Sequence, residues 1–189
     1  MAAAAFRNGL RAIPHLNHRT EKFSAMKAST KRTLLDINNA YIMFCASVYL
    51  GMFWSLHFFW FPHYPDTLTP DNYYNAIIPQ TNTATKYFFI TIPIMAVALV
   101  FMLISEWKGK LRWVPLLWIP GLAVPVIIQQ KWIEDINDKF KAGIHDQATL
   151  QPLLQDWMML NDLRFVILTL MWAVTMYFFI AKARQTRQA

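Results

Sequence analysis

Four long stretches without a charged residue constrain this chain of 189 residues more than any other feature. No Lys, Arg, Asp or Glu occurs between Asp36 and Asp66, and none occurs in residues 87–105, 113–130 or 165–181. A helix needs about 20 apolar residues to cross the roughly 30 Å hydrocarbon core of a bilayer. A soluble chain of this length would have to bury four such stretches, whereas a membrane accommodates them directly. We therefore predict an all-α fold, a four-transmembrane-helix bundle. Its predicted spans are about residues 38–61, 85–106, 113–131 and 163–182.

Basic residues are concentrated on one side of the predicted bundle. With four spans, the N-terminal segment, the link around Lys108–Arg112 and the tail from Lys182 share one side. These segments hold 13 of the 18 Lys and Arg residues, whereas the other side holds eight of the 11 Asp and Glu residues. The positive-inside rule then predicts an integral, multi-pass protein with both termini on the cytoplasmic or matrix side. The organelle stays open, with the mitochondrial inner membrane as one alternative.

The first 35 residues form a basic arm before the predicted membrane domain at 36–189. The arm opens with MAAAAFRNGLR, which is rich in small and basic residues, as is typical of a mitochondrial targeting segment. The alternative is an arm that lies on the membrane surface with its Arg and Lys side chains towards lipid headgroups. The net charge of +7 does not indicate nucleic-acid binding, because the basic residues lie beside apolar spans, where they contact anionic lipid.

Turn and proline signals predict the structure on the opposite, outer side. Thr69-Pro70-Asp71 is typical of a helix start, and we expect the short helix that follows to break or bend at Pro79 and the polar run 80–83 before the second span. Pro120 and Pro125 predict a kink in the third span. That helix should continue outwards and end at Gly143.

A new helix should begin near Asp146 or Thr149 and run into the fourth span. Together with the outward end of the third span, it would form a helical hairpin extension on the non-cytoplasmic side.

Polar side chains gather near the outer end of the fourth span. Trp157, Asn161, Arg164 and Leu168 are spaced four, three and four residues apart, which places them on one face of a helix. Arg164 begins a charge-free stretch, so it lies at the hydrocarbon boundary, where an ionisable group is expensive and indicates function. Histidines of the first span and its exit, together with acids of the third helix, lie at a similar predicted depth. The candidate catalytic residues are His57, Asn161 and Arg164, and the candidate substrate-binding residues are Trp157, Glu134 and His63.

Each candidate also has a purely structural interpretation. His57 would be a neutral imidazole that is hydrogen-bonded to another helix. Arg164 would bind Glu134 or Asp135 as an interhelical clamp, or extend to the headgroups.

Signatures of metal and cofactor sites are missing from the sequence. It has no HExxH, Walker, GxSxG or GxGxxG motif, and its five histidines have no metal-ligand spacing. The single cysteine, Cys45, excludes an intramolecular disulfide. We therefore predict neither a metal nor a cofactor.

The segment Trp157–Arg164, WMMLNDLR, resembles the Trp-x3-Asn-x2-Arg pattern of the anthrone-oxygenase-like family of small four-span membrane proteins. Looser similarities extend the resemblance to about residues 38–181. They include Gly51 before an aromatic-rich run and Asn82 before the second span.

Members of that family with an assigned reaction oxidise a hydroxyaromatic anthrone to a quinone without an obvious cofactor. The resemblance implies that Asn161 and Arg164 stabilise a phenolate and that Trp157 contacts the ring. A nearby base, His57 or Glu134, would accept the proton.

Two classes of function follow. The first is a small membrane oxidoreductase, a cofactor-independent oxygenase that binds a hydrophobic small molecule at the outer mouth of the bundle. The second is an accessory or scaffold subunit of a larger membrane complex. The bilayer is a partner in both cases, and a homo-oligomer is compatible with either. A transporter is the weakest interpretation, because no polar stripe crosses the predicted membrane region.

Overall fold

The computed structural model is almost entirely helical in its described part, with short turns between the helices. It describes the backbone of residues 14–188 and the side chains of residues 29–185. No strand occurs in this part of the chain. The six α-helices are α1 Pro14–Ser55, α2 Tyr64–Thr67, α3 Tyr73–Glu106, α4 Trp113–Ile128, α5 Glu134–Ala142 and α6 Gln147–Gln188. Two π-helical segments of five residues, Leu56–Trp60 and Gln129–Ile133, follow α1 and α4.

Four helical stretches are long and apolar enough to cross a membrane, as the charge-free stretches predict. They are Ser29–Trp60, Tyr73–Glu106, Trp113–Ala142 and Gln147–Gln185. The prediction of an all-α, four-helix membrane protein is therefore confirmed.

The chain divides into two compact units after Ile37, two residues beyond the predicted end of the arm. In the first unit, residues 14–37 are helical. The opening MAAAAFRNGLR, and with it the prediction of a targeting segment, lies outside the described residues. The second unit contains the rest of α1 and all later helices. It is called the membrane domain below.

Helices α4 and α6 pack closely inside the membrane domain. The Trp118 indole is buried, and its Nε1 donates a hydrogen bond of 2.8 Å to the Thr175 hydroxyl. Gly121 lies against Met171, and a Cβ at this glycine would collide with the thioether. Small residues allow membrane helices to approach in this way. Farther along, a 2.6 Å ion pair between Lys182 and the buried Glu106 joins the ends of α6 and α3.

The opposite end of the membrane domain, which carries α2, α5 and the start of α6, is called the hairpin end. Gly143 has φ +95° and ends α5, a conformation that glycine adopts without strain. Asp146 precedes α6 and accepts a 2.8 Å hydrogen bond from the Thr149 N–H. Hydrogen bonds from the backbone of Thr149 hold the pKa of Asp146 below its ordinary value. The predicted helical hairpin is therefore present, with the predicted end and start.

A buried tyrosine joins the hairpin to α3. The Tyr73 hydroxyl donates to the Phe140 carbonyl at 2.9 Å and accepts from the Ile144 N–H at 2.8 Å. All three residues belong to one apolar cluster at the hairpin end.

Replacing Tyr73 with Phe is expected to lower the free energy of unfolding by about 1–3 kcal/mol, because the buried Ile144 N–H loses its partner. Chemical unfolding in detergent micelles measures the change. Tyr74→Phe is the matched control, since Tyr74 is 46% exposed and should have little effect. Equal losses in the two variants would contradict the assigned role of Tyr73.

The sequence predicts a break or a bend at Pro79, and a break is wrong. Helix α3 continues through Pro79 to Glu106, and its first residue follows Asn72 rather than Thr69. Pro79 removes only one backbone hydrogen bond, to the carbonyl of the exposed residue Asn75. The hydroxyls of Thr81 and Thr83 bond back to carbonyls four residues earlier, both at 2.9 Å, which is compatible with an uninterrupted helix.

Candidate functional site

A cavity of about 650 Å³ lies in the membrane domain near the hairpin end. Side chains of α1, α3, α4, α6 and both π-helical segments line it, and most of them are apolar. The volume falls within the range of about 300–1,000 Å³ that is usual for small-molecule sites. We call this cavity the pocket.

Arg164 is the buried cation of the pocket, with 6% of the residue exposed. Its Nη1 donates to Gln129 Oε1 at 2.6 Å and to Asn161 Oδ1 at 3.1 Å, and its Nη2 donates to the Tyr49 hydroxyl at 3.0 Å. The guanidinium also lies over the Phe53 ring, 4.7 Å from its centre. Its Nε is buried without a hydrogen-bond partner.

Every one of these contacts is neutral. Within the described part of the chain, no carboxylate lies within ion-pair distance of Arg164. The predicted clamp to Glu134 or Asp135 is therefore absent, and a positive charge lies inside the bundle without a countercharge.

Asn161 and Trp157 hold Arg164 from the same face of α6, as their spacing predicts. Asn161 Nδ2 donates to the Trp157 carbonyl at 2.8 Å, which leaves its oxygen for the guanidinium. The Trp157 indole donates to Asn137 Oδ1 of α5 at 3.2 Å. Trp157 and Asn161 are buried, and both line the pocket.

Glu134 is the one carboxylate among the residues that line the pocket. Gln129 connects it to the arginine, because Gln129 Oε1 accepts from Arg164 while its Nε2 donates to Glu134 Oε2 at 3.4 Å. The other oxygen of Glu134 accepts from Lys141 at 3.4 Å, and Lys141 also bonds Asp138 at 2.9 Å. A polar chain thus runs from the buried arginine to the exposed surface of α5.

Both π-helical segments border the pocket. Leu56 and Trp60 of the first segment line it, as do three residues of the second: Gln129, Gln130 and Ile133. π-Helical turns are rare and occur frequently at functional sites, because the extra residue displaces side chains from the regular helical register. Pro120 and Pro125 are accommodated inside α4, and the departure from α-helical geometry begins four residues after Pro125.

The structure places the two predicted histidines away from the pocket lining. His57 Nδ1 lies 2.8 Å from Asp162 Oδ1, and its ring stacks on Phe165 at 4.6 Å. His63 is exposed and precedes α2. The pocket therefore gathers four of the six predicted residues: Glu134, Trp157, Asn161 and Arg164.

Several pocket residues are not among the predicted site residues. Tyr49 and Phe53 lie within an unbroken apolar run, where nothing in the sequence separates them from lipid-facing residues. The Gln129-Gln130 pair, by contrast, is a usable signal, because two amides end a charge-free stretch. Tyr64 also lines the pocket, and burial raises the pKa of its phenol, so the hydroxyl stays protonated at neutral pH.

No cluster of three or more His, Cys, Asp or Glu side chains in the described part of the chain is arranged to hold a metal ion. The chain is an all-α, multi-pass membrane protein with a buried arginine in an apolar pocket. No protein-family model, curated protein or solved structure matches it.

Proposed function

We propose that the protein is a small membrane oxidoreductase that binds a hydrophobic hydroxyaromatic molecule in the pocket and oxidises it with dioxygen. The observation that carries this proposal is the buried Arg164 guanidinium, which lines an apolar cavity and has only neutral partners.

An anionic ligand would supply the countercharge that Arg164 lacks within the described part of the chain. A buried charge without a counterion costs several kcal/mol after the protein relaxes. A phenolate oxygen beside Arg164 would offset that cost, and the buried, unpaired Nε leaves the guanidinium with a donor that no protein group uses. Gln129, Asn161 and Tyr49 hold the guanidinium in place, and donors that are fixed before the ligand arrives stabilise developing negative charge effectively, because they need no reorganisation during the reaction.

The chemistry requires one base and one positively charged group that stabilises the resulting anion. The base removes a proton from the activated CH₂ carbon of the substrate, and the resulting carbanion is delocalised onto the oxygen held by Arg164. Dioxygen adds to that carbon to form a peroxide anion, the protonated base returns its proton to give a hydroperoxide, and the hydroperoxide loses water to leave a ketone. The CH₂ group and O₂ become C=O and H₂O, so the carbon loses four electrons and dioxygen gains four.

Glu134 is the better candidate for the base. It lines the pocket, whereas His57 is hydrogen-bonded to Asp162 outside the pocket lining. Lys141 donates to both Glu134 and Asp138 at the exposed surface of α5, which fixes the position of the Glu134 carboxylate beside the pocket. In the proposed reaction, Glu134 removes the proton and Arg164 stabilises the anion.

Purified protein in lipid nanodiscs tests the proposal with anthrone and ¹⁸O₂. We expect oxygen uptake above the protein-free rate and one ¹⁸O atom in each new ketone. Glu134→Gln should lower the rate by about 10²–10⁴-fold, the usual contribution of a general base. Asp135→Asn is the matched control, because it removes the neighbouring carboxylate of the same helix at an exposed position that does not line the pocket.

Folded protein that consumes no oxygen above background would contradict the oxidoreductase proposal. The accessory-subunit alternative predicts that outcome together with a large native assembly. Native mass after gentle detergent extraction, with identification of co-migrating proteins, therefore separates the two functions.

A further inference from the structure

One wall of the pocket is the seam between α1 and α3. Residues of α3 recur along it at helical spacing, namely Thr81, Thr85, Phe88 and Ile92. The facing wall comes from α1 and the first π-helical segment, with Met52, Leu56 and Trp60. The Tyr49 and Phe88 rings meet at 4.2 Å, so the two helices are in contact at that level.

The seam is not sealed by protein. Phe89 lines the pocket and is nevertheless 82% exposed, and Trp60 on the opposite wall is 43% exposed. Phe89 belongs to the charge-free stretch 87–105, within the membrane-spanning part of α3. The outside of the seam at this level is therefore in contact with lipid rather than water.

We infer that the pocket takes its ligand from the bilayer, through the seam between α1 and α3, as a membrane-dissolved amphipathic monoanion. The inference rests on the proposed function, because both concern the same pocket. It adds the source of the ligand and its charge. A hydrophobic molecule is concentrated in the hydrocarbon phase, so the apolar seam gives it a shorter route than the water phase does.

The charges of the pocket select the ligand's headgroup. Arg164 is the one cation in the lining and Glu134 is paired with Lys141 outside it, so a second negative charge on the ligand would have no positive partner. A single phenolate or carboxylate fits this balance, whereas a phosphate dianion does not. The apolar body would then lie along the seam, among side chains such as Leu56, Ile77 and Ile92.

A cysteine-accessibility experiment tests the route without requiring turnover. Cys45→Ala removes the only cysteine of the chain. A single cysteine is then introduced at Ala84, which lines the pocket, or at Asn82, an exposed control position two residues away. In nanodiscs, each variant is treated with a membrane-soluble alkyl maleimide or a sulfonated, water-soluble maleimide.

The Ala84→Cys variant is expected to react about tenfold faster or more with the alkyl reagent, because reaction of a thiol depends on access. The Asn82→Cys variant should show the reverse preference. Oleate, used as a membrane-dissolved monoanion, should slow labelling at position 84, and adding Arg164→Gln should abolish that protection.

Two outcomes would overturn the inference. Labelling of Ala84→Cys by the sulfonated reagent at the rate of Asn82→Cys would show entry from water. No labelling by either reagent would show a closed seam. Neither outcome depends on oxygen chemistry, so failure of the route and failure of the proposed oxidation are distinguishable.

Discussion

Replacing Arg164 with Gln is expected to lower turnover by about 10²–10³-fold, the usual effect of removing one preorganised donor to a developing oxyanion. The free energy of unfolding of the ligand-free protein should change little or increase. The substitution removes a buried charge without a countercharge, and glutamine can still bond to neighbouring neutral groups. Oxygen uptake and chemical unfolding in detergent measure the two effects separately.

Two further variants sharpen this prediction. Arg112→Gln removes the same charge at an exposed position outside the pocket, and it should leave turnover unchanged. Arg164→Lys keeps the charge but loses the planar set of donors that reaches Gln129 and Tyr49 together, so it should recover only part of the activity.

The interhelical-clamp interpretation predicts the opposite pattern for Arg164. It expects Arg164→Gln to unfold readily, with normal turnover in the fraction that stays folded. The predicted clamp uses Glu134 or Asp135, and no carboxylate in the part of the chain that the structure describes lies within ion-pair distance of Arg164, which argues against that pattern.

Local signals in the sequence predict most of the fold. The four charge-free stretches correspond to the four long helices, because a single apolar helix of this length is sufficient to identify a span. Gly143 and Asp146 predict the end of α5 and the start of α6, since helix caps depend on nearby residues alone. The failure at Pro79 has a physical reason too, as one missing hydrogen bond does not stop a helix whose neighbouring residues remain helical.

The candidate site could be predicted only where one helix carries it. Trp157, Asn161 and Arg164 follow from the helical period, and the structure places them together. The predicted depth along the membrane placed both Glu134 and His57 at the site. Glu134 does line the pocket, whereas His57 does not. That histidine belongs to the first π-helical segment and contacts Asp162 and Phe165 instead of lining the pocket. Rotation of one helix relative to another is set by tertiary packing, which the sequence does not display.

The hairpin end positions the polar residues of the pocket. Glu134 and Asn137 belong to α5, and they contact Gln129 of the second π-helical segment and Trp157 of α6, respectively. The polar chain of the pocket therefore depends on how α5 packs, and α5 is held by the apolar cluster around Phe140.

Phe140→Ala is accordingly expected to lower the free energy of unfolding by about 3–5 kcal/mol, the usual cost of truncating a fully buried Phe. Phe140 is 0% exposed, so the lost ring leaves a cavity between α5, α3 and α6. Phe101→Ala is the matched control, because Phe101 lies in α3 and is 56% exposed. Chemical unfolding in detergent measures both variants.

Since α5 positions Glu134, turnover by Phe140→Ala should fall even under conditions where the protein remains folded. Comparable stability in the two variants would contradict the assignment of Phe140 to a packed core and would separate the hairpin from the pocket.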